Sequence, residues 1–175
     1  MIALLLACAG APDLPDLGSL PPFSLTDARG ATVTDQDVRG HVVVADFFFT
    51  SCPDVCPILS AHMAEVQDHY QGNAQVRLLS ISVDPVTDTP DRLSAYAARF
   101  HANLDRWWFL TGPADDVKRV VVDGFKIAMQ PGDTPGSVLH GERFVVVDPE
   151  GRIRAYPDPK EPGKVELYAA VDALL

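Results

Sequence analysis

The stretch His41-Val42-Val43-Val44-Ala45-Asp46-Phe47-Phe48-Phe49-Thr50 decides the fold, because it is a nearly unbroken β-branched and aromatic run. Such a run has no polar face, so it predicts a strand buried on both sides, in the middle of a sheet. Ser51-Cys52-Pro53-Asp54-Val55-Cys56 follows at once. Then comes Pro57 to Tyr70, in which Ile58, Leu59, Met63, Val66 and Tyr70 recur at spacings that fit a helix. A strand, a corner and a helix in this order place two cysteines where α/β sheets hold their chemistry, at the carboxyl end of a strand and the amino end of a helix.

Outward from this unit the same alternation continues. Val76 to Val83 and Trp107 to Leu110 predict strands. Asp91 to Phe100, entered through Thr89-Pro90, and Ala114 to Val122 predict helices. Phe23 to Thr26 and Ala31 to Thr34 predict a small hairpin at the N-terminal side. Arg143 to Asp148 and Arg152 to Tyr156 predict a second one across Pro149-Glu150-Gly151, followed by a helix from about Pro162 to Leu174. The fold class is therefore α/β, with a central mixed sheet flanked by helices and an N-terminal hairpin, formed by residues 23–175 as one domain.

Residues 1–22 have a different composition. Met1 to Ala7 is apolar and runs into Cys8, and Ala9 to Pro22 is rich in Pro, Gly, Ala and Asp without periodicity, which suits a flexible tether. Leu5-Leu6-Ala7-Cys8 resembles the lipobox of bacterial lipoproteins. That resemblance implies a lipid on Cys8 and export to the periplasmic face of a bacterial membrane.

The 175 residues are 47% hydrophobic and 22% charged, an ordinary globular balance. Asp and Glu (24) exceed Lys and Arg (14), giving a net charge of −10. That field repels a phosphate backbone and disfavours nucleic acid as a partner. No apolar run is long enough to cross a bilayer, so membrane contact is expected only through the lipid on Cys8. Three cysteines are too few, and too odd in number, for a disulfide scaffold.

Cys52 and Cys56 are four residues apart, a spacing that puts both sulfurs on one face of a helix. Such a pair can close a disulfide or chelate one soft metal ion, and a helix N-terminus favours the thiolate form needed for either. The alternative is a pair of inert core side chains.

The segment Phe48-Phe49-Thr50-Ser51-Cys52-Pro53-Asp54-Val55-Cys56-Pro57 resembles the signature of the SCO/SenC copper-chaperone family. The likeness extends to Ile81-Ser82-Val83-Asp84-Pro85 with Asp88-Thr89-Pro90, to Leu110-Thr111-Gly112, and to Phe144 through Arg152. It implies a thioredoxin-like fold and a metallochaperone that assists assembly of the copper centre of cytochrome c oxidase subunit II. It also implies one copper ion held by Cys52, Cys56 and His140. Of the five histidines, His62 and His69 share a helix face, His101 ends a helix and His41 opens the long strand at the end away from the cysteines. His140 lies in the stretch Gln130 to Gly141, which in thioredoxin-like folds faces the cysteine site. Two thiolates and one imidazole favour Cu(I), a further ligand lets such a site hold Cu(II), and zinc is also compatible. The family usually carries an acidic residue before the histidine and serine after it, where this chain has Leu139 and Gly141. That departure bears on copper affinity.

Asp46 interrupts the apolar run and is expected in a buried layer. Its offset of six residues from Cys52 matches the buried acid of thioredoxins, which implies proton exchange with Cys56 during thiol chemistry. The alternative is an aspartate bonded to backbone or water with no such role. Two activities remain open: copper delivery, with the pair cycling between dithiol and disulfide, or thiol–disulfide exchange on a target by Cys52 and Cys56 alone. A peroxiredoxin-type peroxidase fits less well, since it uses one peroxidatic cysteine. The implied partners are subunit II and another periplasmic copper chaperone or thiol reductant.

Overall fold

The computed structural model describes residues 13–131, 138–160 and 163–175. In chain order the elements are β1 (Ser24–Asp27), β2 (Thr32–Thr34), α1 (Asp35–Val38), β3 (Val42–Phe48), α2 (Val55–His69), β4 (Val76–Ser82), α3 (Pro90–Arg99) and β5 (Trp107–Thr111). Then follow α4 (Ala114–Lys118), a π-helical turn (Arg119–Gly124), β6 (Met129–Pro131), β7 (Val138–His140), β8 (Val145–Val147), β9 (Ile153–Ala155) and α5 (Gly163–Asp172). Seven strands form one mixed sheet in the order β2-β1-β5-β4-β3-β8-β9. β3, β4 and β5 are parallel, while β1 and β8 flank them antiparallel.

The long run behaves as its composition predicts: all seven residues of β3 are buried. Side chains alternate between two core layers, as strand geometry requires. Val42, Val44 and Phe48 pack with α2, α3 and α5, whereas Val43, Ala45 and Phe47 pack with Val38, Val117 and the π-helical turn. The N-terminal hairpin is present and extends the sheet beyond β5.

Four details differ from the sequence expectations. α2 begins at Val55 rather than Pro57, so Cys56 lies inside its first turn. Pro57 is compatible with that earlier start because the first-turn amides have no intrahelical acceptor to lose. The helix expected over Ala114 to Val122 changes to π geometry after Lys118, which lets Phe125 and Ile127 donate to the carbonyls of Val120 and Val121. The closing hairpin is shorter than expected, with its turn held by Asp148, which accepts from the amides of Glu150 and Arg152 and from the guanidinium groups of Arg152 and Arg154.

The fourth difference concerns the stretch expected as tether. Where it is described, it lies on the domain: Leu17 and Leu20 donate to the carbonyls of Ile153 and Gly151, and the Gly18 carbonyl accepts from Ile153. Arg154 donates to the carbonyls of Pro15 and Leu14. Backbone pairing along a sheet edge needs no side-chain periodicity, which is why composition alone suggested a loose segment. Cys8 lies outside the described residues.

Candidate functional site

The site is built at the end of β3. After Phe48 the chain leaves the sheet, and the Cys52 amide turns back to donate to the Phe49 carbonyl at 3.2 Å. The residue at the N-cap of α2, Asp54, makes no side-chain cap. Instead the Cys56 amide donates to Cys52 Sγ at 3.5 Å, so a cysteine sulfur takes one of the unpaired amides of the helix start. Both cysteines are free thiols. Cys56 is fully buried and Cys52 half-buried, which makes Cys52 the sulfur that faces outward. Burial pushes the Cys56 thiol well above its ordinary range; the hydrogen bond with Cys52 adds to this and the Phe49 amide opposes it.

Asp46 stands on the Cys56 side of β3. It is 0% exposed, and one carboxylate oxygen accepts from Ser80 Oγ at 2.5 Å while the other has no hydrogen-bond partner. Ser80 is its register neighbour on β4 and also accepts from the Trp107 indole at 2.8 Å. Burial without a cation pushes the Asp46 carboxyl up to about 7, against the pull of the Ser80 hydroxyl. Its charge is felt at Cys56 and at Tyr96, whose hydroxyl is 3.0 Å from Ser60 Oγ.

The turn Asp84 to Pro90, whose two acids and place at the end of a strand fit a rim of the site or a solvated loop, holds a second buried carboxylate. Asp88 is 0% exposed and accepts from the Thr50 amide (3.0 Å), the Thr50 hydroxyl (2.5 Å) and Ser82 Oγ (2.6 Å). It ties the turn between β4 and α3 to the residues just before Cys52. Pro90 and the Thr89 cap marked the helix start, but nothing in the pattern distinguished Asp88 from an ordinary loop acid.

His140 ends β7, in a two-stranded ribbon with β6 where a loop was expected. Its partner there is Met129, and the Gly141 amide donates to the Ala128 carbonyl at 3.0 Å. A side chain at Gly141 would meet Ile127 Cγ2 at 3.3 Å, so the residue after His140 sits close against its neighbour. The imidazole is half-buried, with Nδ1 3.3 Å from the Gly141 carbonyl and its ring edge-on to Phe49, centroids 6.2 Å apart. Burial lowers its pKa, which favours the neutral form that ligates metals. Among the described residues no three His, Cys, Asp or Glu side chains are gathered closely enough to hold a metal ion. The two cysteines are together; His140 reaches them through Phe49.

The remaining histidines lie elsewhere. His62 is half-buried on α2, His69 packs between Tyr70 and Tyr168, at 4.6 Å from each ring, His101 follows α3, and His41 precedes β3 at the far end from the cysteines.

The donor set suits a soft cation. Two adjacent thiols supply sulfur, and a neutral imidazole with one nitrogen turned to a carbonyl retains the other for a metal.

Residues 15–175 match the family model described as SCO1/SenC. The chain is 34% identical over 134 residues to the SCO1 protein homolog of Bacillus subtilis, covering 75% of this chain and 69% of that one. Among solved structures, a SCO1/SenC family lipoprotein from Bacillus anthracis superposes with a TM-score of 0.85 at 28% identity, over 94% of this chain and 99% of that one. BsSco, a Sco family cytochrome c oxidase assembly protein with an identified disulfide switch, gives 0.80 at 30% identity, over 92% and 96%. ScoI of Bradyrhizobium japonicum with copper bound gives 0.76 at 28%, over 90% and 99%.

Proposed function

This chain belongs to the SCO1/SenC family, and from that premise we propose that it binds one copper ion through Cys52, Cys56 and His140 and assists assembly of the copper centre of cytochrome c oxidase subunit II. The observation that carries this reading is the free cysteine pair at the start of α2, joined by Phe49 to an imidazole on a separate ribbon.

Copper is cargo here, and the protein's work is to capture and release it. Capture needs the reduced pair, since a disulfide has no thiolate to offer. Cys56 resists ionisation in its buried place, so its proton leaves when a cation arrives to replace it. Asp46, buried on the same side and bearing an oxygen without a partner, is the acceptor we assign to that proton. The pair cycles between copper-binding dithiol and disulfide by thiol–disulfide exchange: two electrons pass from the dithiol to a disulfide of the target, which becomes a dithiol, and a thiol reductant, itself oxidised to a disulfide, restores the pair. His140 closes the donor set from the ribbon.

A copper titration of the reduced protein tests the three-donor reading. The wild type is expected to bind one equivalent, and His140→Ala to bind at least about 100-fold more weakly, since loss of a ligand exceeds the 10–100-fold cost of losing an outer partner. Equal binding by His140→Ala would refute it.

One observation favours a second reading: the Cys56 amide donates to Cys52 Sγ, so the two sulfurs are assembled, while among the described residues no third donor is gathered with them. On that reading the protein is a thiol–disulfide oxidoreductase that reduces target cysteines without carrying copper, and His140→Ala keeps full activity. The partner in either case is subunit II, with a periplasmic copper chaperone or thiol reductant acting upstream. We also propose that Cys8 carries a lipid that holds the domain on the periplasmic face of a bacterial membrane. Cys8→Ser in the full-length chain would move the protein from the membrane to the soluble fraction; continued membrane residence would remove the anchor.

A further inference from the structure

We propose that Phe49 is a positioning residue for the copper site, one residue whose carbonyl and ring address Cys52 and His140 in turn. The inference rests on the three-donor reading above and extends it to a residue that is not itself a donor.

Phe49 is the first residue after β3, so its backbone is fixed by the sheet while its side chain is free to leave it. Its carbonyl accepts the Cys52 amide at 3.2 Å. Its ring is half-buried where the two core layers meet, and it stands edge-on to His140 at an interplanar angle of 82°. This edge-to-face arrangement is a preferred one for aromatic pairs.

The surroundings of His140 show why that contact matters. A cavity of about 350 Å³ lies against the imidazole, lined by Glu142, Arg143, Asp158, Pro159 and Lys160. Another of about 310 Å³ is lined by Ala128, Gln130, Gly141 and His140 itself. Among the described residues the aromatic ring packed on the imidazole is that of Phe49. Two described contacts orient the ring, Nδ1 to the Gly141 carbonyl at 3.3 Å and the edge of Phe49, and of these Phe49 is the one that also touches the cysteine loop. Among the described residues the three donors are not gathered as close as a metal site needs, and Phe49 lies between the two sides. Phe49 touches both, and it sets their starting geometry.

The backbone and side chain of Phe49 serve different donors, and the test separates them. Phe49→Leu keeps the amide and carbonyl but removes the ring; Phe49→Tyr restores a ring. In Phe49→Leu the NMR signals of the His140 ring in the metal-free protein are expected to lose their ring-current displacement. Copper affinity is expected to fall about 10-fold, the lower end for loss of an outer-sphere partner. The reduction potential of the Cys52–Cys56 pair should stay at the wild-type value, and Phe49→Tyr should recover both the His140 signals and the copper affinity. A merely structural role would shift the potential together with the affinity, and that result would overturn the proposal. So would unchanged His140 signals in Phe49→Leu. If His140→Ala binds copper as the wild type does, the three-donor reading fails, yet the His140 signals still decide whether Phe49 orients that ring.

Discussion

The cysteine side and the histidine side of the site are built to different standards. The cysteines follow a fully buried strand, and their loop is held by the Phe49 carbonyl, by Asp88 through Thr50 and by a sulfur that caps α2. His140 belongs to a short ribbon outside the main sheet, and among the described residues its aromatic neighbour is Phe49. A donor pair fixed by the core and a third donor on a ribbon outside the main sheet suit a protein that must take up an ion and give it away again. A resident metal site is better served by three donors fixed alike, since exchange then has no mobile partner to begin with.

The comparison can be broken most severely at the cysteines. Cys52→Ser or Cys56→Ser is expected to abolish stoichiometric copper binding, measured by metal analysis after dialysis. Retention of one equivalent would show that the pair is not the anchor. Next in size is the support beneath the pair. Asp88→Ala leaves Thr50 and Ser82 donors without their buried acceptor, and a loss of about 3 kcal/mol in unfolding free energy is expected by urea titration. A loss below about 0.5 kcal/mol, the range of ordinary surface changes, would mean the clip does not hold the loop.

Asp46 sharpens the same contrast through pH. Burial pushes its folded carboxyl up to about 7 from the ordinary 3.8 that holds in the unfolded chain, so the unfolded state releases its proton first as pH rises. Stability therefore falls between about pH 4 and pH 7 and levels off above, by an amount on the order of a few kcal/mol. Asp46→Asn is expected to flatten that slope in thermal melts, whatever its effect on the absolute melting temperature. For the assigned proton transfer, the same variant should change the pH profile of disulfide reduction; an unchanged profile would remove Asp46 from the chemistry. The smallest effect belongs to the ribbon: Gly141→Ala must push Ile127 aside by a few tenths of an ångström, and about a 3-fold weaker copper affinity is expected, below the usual range for outer partners. An unaltered affinity would show that close packing after His140 is not needed.

Much of the fold was legible because its decisive signals are local. An unbroken β-branched run reports burial on both faces, and the Thr89-Pro90 start of α3 is visible in two letters. The cysteine pair was legible for the same reason, since spacing four and the strand–helix corner are adjacent in sequence. His140 was singled out only through family resemblance, because its relation to Cys52 spans 88 residues (140 − 52) and no periodicity encodes it. The burial of Asp88 and the strapping of Leu14 to Leu20 were not legible for a related reason. A buried acid with three donors and an exposed one have the same neighbours in the chain, and backbone pairing leaves no mark on side-chain pattern. The ribbon of β6 and β7 is three residues per strand, too short for alternation to show.

X-ray absorption at the copper edge of the loaded, reduced protein tests the central claim most directly. Two sulfur scatterers and one imidazole nitrogen are predicted, with the nitrogen lost in His140→Ala. A spectrum of sulfur donors alone, unchanged by that substitution, would contradict the three-donor site.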